Sequence, residues 1–354
     1  MTVLYVIVAV LIFGLLIAIH ELGHFTAAKL CGVRVEEFAV GMGPALWKKQ
    51  KGETLYSLRA IPFGGYCAMT GEDGESEDPR AFGNQRVWKR LLILAAGSFN
   101  NFLLGFLIVL ILQLSAGTVP STLPIIGSFM EGCPYESAEG LQVGDRFLNI
   151  NGQPVESYPE AGALLNEDGA YDFVIERGGE TVELKDFTMI KQSYPGYEGK
   201  YFGIIFASEV KAGFGRNVAE AWDTTVYYVR LVWESLGMLV HGEASVNDLA
   251  GPVLIVDIMA ETGSQANTVA DGLSTIFSLG AFIAVNLAVM NMLPIPALDG
   301  GRIFFLLVTA AIEAVTRKKV NPKYEAYIHG AGLVLLLALM AYVMFHDIFT
   351  LVTR

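Results

Sequence analysis

The sequence predicts a polytopic α-helical membrane protein with four transmembrane helices, a β-hairpin region beside the membrane and one small α+β domain outside it. Two observations carry this fold class. Of 354 residues, 53% are hydrophobic and only 17% charged, too apolar for an ordinary soluble chain. Apolar runs at residues 2–19, 91–116, 273–296 and 327–352 are each near the ~20 residues that cross a bilayer as helix. The first run has no basic residue before it and no small-residue cleavage site after it, so it is expected to stay in the mature protein.

In chain order, residues 1–30 are the first span, 31–90 a cytoplasmic-side loop with the hairpin, 91–116 the second span and 117–210 the external domain. Residues 211–271 are an amphipathic helix and connector, 272–301 the third span, 302–326 a cytoplasmic loop and 327–354 the fourth span. Orientation follows from charge. Basic residues gather between the first two spans, from Lys29 to Arg90, and between the last two, at Arg302, Arg317, Lys318, Lys319 and Lys323, while the middle of the chain is acidic. The positive-inside rule then places both basic loops in the cytoplasm and residues 117–271 outside. A net charge of −12 gives no footprint for nucleic acid.

Residues 33–70 read as short strands punctuated by Gly41, Gly43, Pro44, Gly52 and the Gly64–Gly65 pair. The acidic, turn-rich GEDGESEDP at 71–79 reads as a solvated loop without chemistry. Beyond the second span, IIGSF at 125–129 is strand-like, a Gly-Asp turn joins apolar strands in GLQVGDRFLNINGQPV at 140–155, and FVIERGGETVELKDF at 173–187 is a hairpin about Gly178 and Gly179. From 217 to 241, Val218, Trp222, Val226, Val229, Trp233, Leu236 and Val240 recur at steps of three and four, giving one apolar helical face. Cys31, Cys67 and Cys133 are too few and too scattered for a disulfide framework or a thiolate metal site, and read as packing residues.

The chemistry lies in IAIHELGHF. His20 and His24, four residues apart at the end of a membrane helix, project from one face and can bind one metal ion. Glu21 is rotated by about 100° from His20 and can face an activated water rather than the metal. Such a motif on a soluble helix is often only a polar surface. Inside a bilayer each carboxylate costs ~2.5 kcal/mol or more, so the group needs compensation, and a metal provides it. A catalytic zinc needs a third protein ligand. NLAVMNMLPIPALDGG offers Asp299, after a helix broken by Pro294 and Pro296 and before the turn-permitting Gly300 and Gly301. Zinc, two neutral imidazoles, one aspartate and one hydroxide sum to zero charge, the least costly total for a buried site. The implied reaction is peptide hydrolysis with Glu21 as general base.

HELGH at 20–24, GSFNN at 97–101 and NMLPIPALDGG at 291–301, in that order and spacing, resemble the site-2 protease family of intramembrane metalloproteases, over nearly the whole chain. The resemblance implies Zn²⁺ as cofactor and single-pass membrane proteins as substrates, such as an anti-sigma factor or a remnant signal peptide, already trimmed by an upstream site-1-type protease. It implies that Asn291 holds the substrate backbone and that Asn101 shapes the cavity, although Ser98 stands where many relatives have proline. It also implies that the hairpin at 56–73, with Gly64 and Gly65, offers an edge to which an extended substrate adds as a strand. GLQVGDRFLNINGQPV resembles a PDZ domain, implying an extracytoplasmic PDZ-like domain that excludes bulky substrates or binds a new C-terminus. DLAGPVLIVDIM at 248–259 resembles the family's Gly-Pro element, with no role assigned. His241, His329 and His346 lack a partner at ligand spacing and read as polar interfacial residues. Two rivals remain at this stage: a catalytically silent scaffold, against which Glu21 and the full ligand set argue, and a metal transporter, which the hairpin and PDZ-like domain fit poorly.

Overall fold

Helix α1 (Thr2–Leu30) is apolar on every side for most of its length, as expected where lipid rather than water is the solvent. In the computed structural model the described residues are 2–72, 74, 76–243, 251–317 and 322–353. Lys318 and Lys319 of the basic loop, and positions 73, 75 and 248–250 of two motifs named above, lie outside them. Among the described residues, four helices are long and apolar enough to cross a membrane: Val3–Leu30, Val87–Ala116, Val269–Asn291 and Tyr327–Val352. Their outward faces leave Leu11, Val334 and Phe349 at least 60% exposed, a surface suited to hydrocarbon and not to water. The chain divides into two compact units, residues 1–112 with 218–354, and residues 113–217.

In the first unit, α1 is followed by two long strands, β1 (Val35–Lys51) and β2 (Thr54–Met69), then α2 (Val87–Ala116). The strands are not the short ones expected. Each bends and serves twice. Residues 35–40 pair on one side with 65–69, antiparallel, and on the other with 55–58, where residue numbers rise together; 45–51 then pairs with 54–59. The spatial order is therefore 65–69, 35–40, 54–59, 45–51, and the bends fall at Gly41, Gly43 and Gly64, all with positive φ. An ion pair fixes the folded-back sheet: Arg59 donates to Glu37 at 2.8 Å and to Gly43 O at 2.8 Å, and Ser57 donates to Glu37 at 2.7 Å. Burial raises the proton affinity of Glu37, but the hydrogen bonds from Ser57, Arg59 and Tyr66 outweigh it and bring the carboxyl below its ordinary range.

The rest of this unit is α4 (Phe214–His241), α5 (Pro252–Ser264), α6 (Val269–Asn291), α7 (Asp299–Thr316) and α8 (Pro322–Thr353), α3 belonging to the second unit. Tyr5, Ile12 and Leu16 of α1 pack with Met259 of α5 and Ile276 and Ala284 of α6. Thr268 caps α6, accepting from Asp271 N at 3.1 Å. Two expectations are corrected. The connector before the third span contains α5, and the expected loop at 302–326 is helical through Thr316, because its apolar residues, among them Ile303 and Leu306, are packed rather than solvated. The Gly-Pro element begins α5. Asp347 of α8, fully buried, accepts from Gly251 N at 3.1 Å and Leu254 N at 3.0 Å, so a carboxylate on the last span supplies the cap that Gly251 cannot.

In the second unit, β3 (Thr118–Pro120) pairs with β10 (Glu209–Lys211), and β4 (Ile126–Phe129) with β9 (Ile204–Phe206). A four-stranded antiparallel sheet runs β6 (Gln153–Pro154), β5 (Arg146–Ile150), β7 (Gly169–Arg177), β8 (Glu180–Met189), with α3 (Tyr158–Leu164) beside it. The β7–β8 turn falls at Gly178–Gly179, as read from sequence. Leu141, by contrast, makes only an isolated bridge before the Gly-Asp turn, and the hairpin of that motif is β5–β6, about Asn151 and Gly152. Phe147, Phe173 and Ile175 form the centre of the core. Asp145 is fully buried, accepting from Gln142 N at 2.8 Å and from Arg177 Nε at 2.7 Å and Nη2 at 2.6 Å. Arg177→Met would strand this carboxylate and is expected to destabilise the unit by about 3 kcal/mol; faster cleavage between residues 113 and 217 on limited proteolysis of the full chain is the readout.

Candidate active site

His20, Glu21 and His24 lie in the last third of α1, where one helical turn separates the two imidazoles. The opposing carboxylate arrives from a broken helix. α6 stops at Asn291, Pro294 and Pro296 prevent it from continuing, and α7 starts at Asp299. A Cβ on Gly301 would lie 2.7 Å from Ile295 C, so only glycine lets α7 start so close beneath the turn.

The donor atoms meet. His20 Nε2 and His24 Nε2 are 3.1 Å apart, and Asp299 Oδ2 is 3.2 Å from the first and 3.3 Å from the second. Tetrahedral zinc with bonds of ~2.0–2.1 Å needs donors about 3.3 Å apart. The tautomer of His24 fits as well, because Nδ1–H donates to Ile93 O at 2.8 Å and leaves a lone pair on Nε2. Asp299 Oδ2, buried, takes no conventional hydrogen bond. Lone pairs converging at 3.1–3.3 Å repel unless a cation lies among them, so the donor set fits zinc.

The surroundings are shaped by close approach. A Cβ on Gly97 of α2 would overlap His24 Nε2 and sit 2.8 Å from His20 Cε1, so this glycine of the GSFNN motif is the floor beneath both imidazoles. Asn101, 1% exposed, lies one turn further along, its amide nitrogen 3.4 Å from His20 Nδ1 while its Oδ1 has no partner. Turning the amide over lets His20 Nδ1–H donate to Oδ1 and satisfies both of those groups. A Cβ on Gly65 would fall 3.2 Å from Glu21 Cγ, so the hairpin backbone presses against that side chain.

Two cavities adjoin the donors, of about 410 and 250 Å³. His20, Glu21 and Asn291 line both; His24 and Asp299 line the larger, and Gly64, Gly65 and Asn101 the smaller. All eight residues singled out in the sequence thus line one or both of two cavities that share His20, Glu21 and Asn291. Tyr66, Cys67, Ala68 and Met69 form a wall of the larger cavity. Burial, with Glu21 and Glu72 nearby, pushes the Cys67 thiol far above its ordinary value, so it offers no thiolate ligand. Glu72 was missed. It belongs to the acidic loop read as solvated, yet it lines the larger cavity and pairs with Arg302, one turn into α7. No local signal marks a pair 230 positions apart.

Peptidase family M50 matches residues 8–339. The chain belongs to that family. Three relatives align over nearly their whole length. A Clostridium acetobutylicum protein named "Putative zinc metalloprotease" is 37% identical over 346 residues, 97% of each chain. Zinc metalloprotease RasP of Bacillus licheniformis is 30% identical, covering 97% of this chain and 98% of that one, and the regulator of sigma-W protease RasP of Bacillus subtilis is 28% identical over similar shares. This member of family M50 is an intramembrane zinc metalloprotease, a multi-pass protein with Zn²⁺ as its cofactor. Gly97→Val is expected to displace both imidazoles and abolish zinc retention, read as metal per chain after purification.

Proposed function

We propose that His20, His24 and Asp299 hold the zinc, that Glu21 is the general base, and that the enzyme cleaves peptide bonds within the spans of single-pass membrane proteins. The observation that carries this is a strand edge beside the donors. Residues 65–69 pair with 35–40 on one side, no other strand pairs with them among the described residues, and the same segment lines the cavity of His20, Glu21, His24 and Asp299. A peptide bond inside a helix is shielded, and an unwound span in lipid must find new partners for its backbone groups. Adding to this edge as a strand supplies them.

Zinc, when bound, supplies a Lewis acid that acidifies water and polarises the scissile carbonyl. Glu21 takes the proton of the attacking water and delivers it to the leaving amine. Asn291, lining both cavities, holds the substrate backbone, and Asn101 orients His20. Gly64 and Gly65 leave the strand edge unobstructed for the incoming chain.

The substrates of this reading are spans already trimmed by an upstream site-1-type protease, an anti-sigma factor or a remnant signal peptide; the name of the Bacillus subtilis relative, a regulator of sigma-W, favours the first. Residues 31–90 and 302–326 face the cytoplasm of a cell membrane, following their basic residues. Residues 117–210 are an extracytoplasmic PDZ-like domain that excludes substrates with a bulky external portion. Glu21→Gln, purified in detergent with zinc retained, is expected to lose at least ~10²-fold in cleavage of a single-pass substrate lacking its external domain. Wild-type cleavage by the variant would remove Glu21 from the mechanism.

A further inference from the structure

We propose that His329, on the last span, is a positioning residue for Asp299: it holds the turn at Pro296–Leu298 in the form that delivers the carboxylate to the two histidines of α1. The inference rests on Asp299 being a zinc ligand. His329, read from sequence as a polar interfacial residue, instead accepts a hydrogen bond from Ala297 N at 3.1 Å. Ala297 has φ 77°, a left-handed conformation in which Cβ crowds the following carbonyl at a cost of roughly 1–2 kcal/mol. Such a residue persists only where its neighbours over-determine it.

Three contacts do so. The first is the hydrogen bond itself, which fixes the direction of the Ala297 N–H and with it the peptide plane two residues before the ligand. The second is Gly332, one turn further along α8, where a Cβ would stand 2.5 Å from Pro296 Cβ and 2.9 Å from Pro296 O. Only glycine at 332 lets α8 lie against the turn. The third is Phe305 of α7, whose ring meets the His329 imidazole edge-on at 5.3 Å and sets its plane. Ala297, Leu298 and Asp299 line the cavity together, so a shift of the turn moves a ligand and not a remote loop. α6 and α7 supply the ligand segment, while α8 supplies the acceptor that gives it its shape.

The test compares full-length variants in detergent, reading zinc affinity by chelator competition alongside cleavage. His329→Leu is expected to weaken zinc binding by roughly 10–100-fold, the scale for an outer partner of a ligand. His329→Asn, which keeps an acceptor at the position of Nδ1, should recover much of it. Ala297→Gly adopts φ 77° without strain, so the double variant Ala297→Gly/His329→Leu should bind zinc far better than His329→Leu alone. Undiminished zinc affinity in His329→Leu, or a double variant as weak as His329→Leu through misfolding or lost affinity, would overturn the proposal. Asp299→Ala separates the two readings. If it binds zinc like wild type, the ligand assignment fails; if it binds weakly while His329→Leu is unaffected, only the role of His329 fails.

Discussion

The structure depends on one electrostatic constraint, that lone pairs gathered inside an apolar bundle must be neutralised there. Two imidazole nitrogens and a carboxylate oxygen converge to 3.1–3.3 Å on helices whose outer faces suit hydrocarbon. Without a cation this meeting is repulsive; a zinc held there together with a hydroxide would make it a neutral, low-cost unit. The elements around it can be understood as ways of reaching that geometry. Gly97 gives the imidazoles room, the Ile93 carbonyl fixes the tautomer of His24, and two prolines end α6 so that α7 can begin with the third donor.

A second constraint concerns backbone rather than charge. Irregular or extended chain at membrane depth is tolerated only where its polar groups are satisfied or face a cavity. The folded-back sheet uses each long strand twice, so that residues 37–40 and 55–58 are paired on both sides. The remaining inner edge, 65–69, faces the cavity. The sheet's other edge, 45–51, is paired only with 54–59.

Much of the site was legible because its chemistry is local in sequence. Two histidines at helical spacing and an aspartate after broken-helix prolines are short-range signals, and His20, Glu21, His24 and Asp299 line one cavity; Asn291, Asn101, Gly64 and Gly65, which only the family resemblance singles out, line the same cavity or its neighbour. The spans were legible for the same reason, since a run of apolar residues needs no partner to be recognised. What stayed hidden is long-range. Glu72 sits in a loop whose composition indicates solvent, and only the fold brings Arg302 to it. His329 stands alone at every ligand spacing, and its contact with Ala297 exists because α8 packs on the turn. The double use of β1 and β2 was also invisible, because the glycines that bend a strand look like those that end one. Likewise α7 falls in a stretch that Arg302, Arg317, Lys318, Lys319 and Lys323 mark as a basic loop, and the packing of its apolar residues is set by the fold.

The cap of α5 carries a further consequence, for biogenesis. Asp347 lies within the last apolar span, toward its Val352 end, where a carboxyl group needs partners that lipid does not offer. Its compensating donors, Gly251 N and Leu254 N, precede it by more than 90 residues. The last span therefore finds partners for this carboxylate only against a bundle that already presents those two amides. Translation delivers the two amides before the carboxylate, so this contact closes only after α5 and α6 have been made.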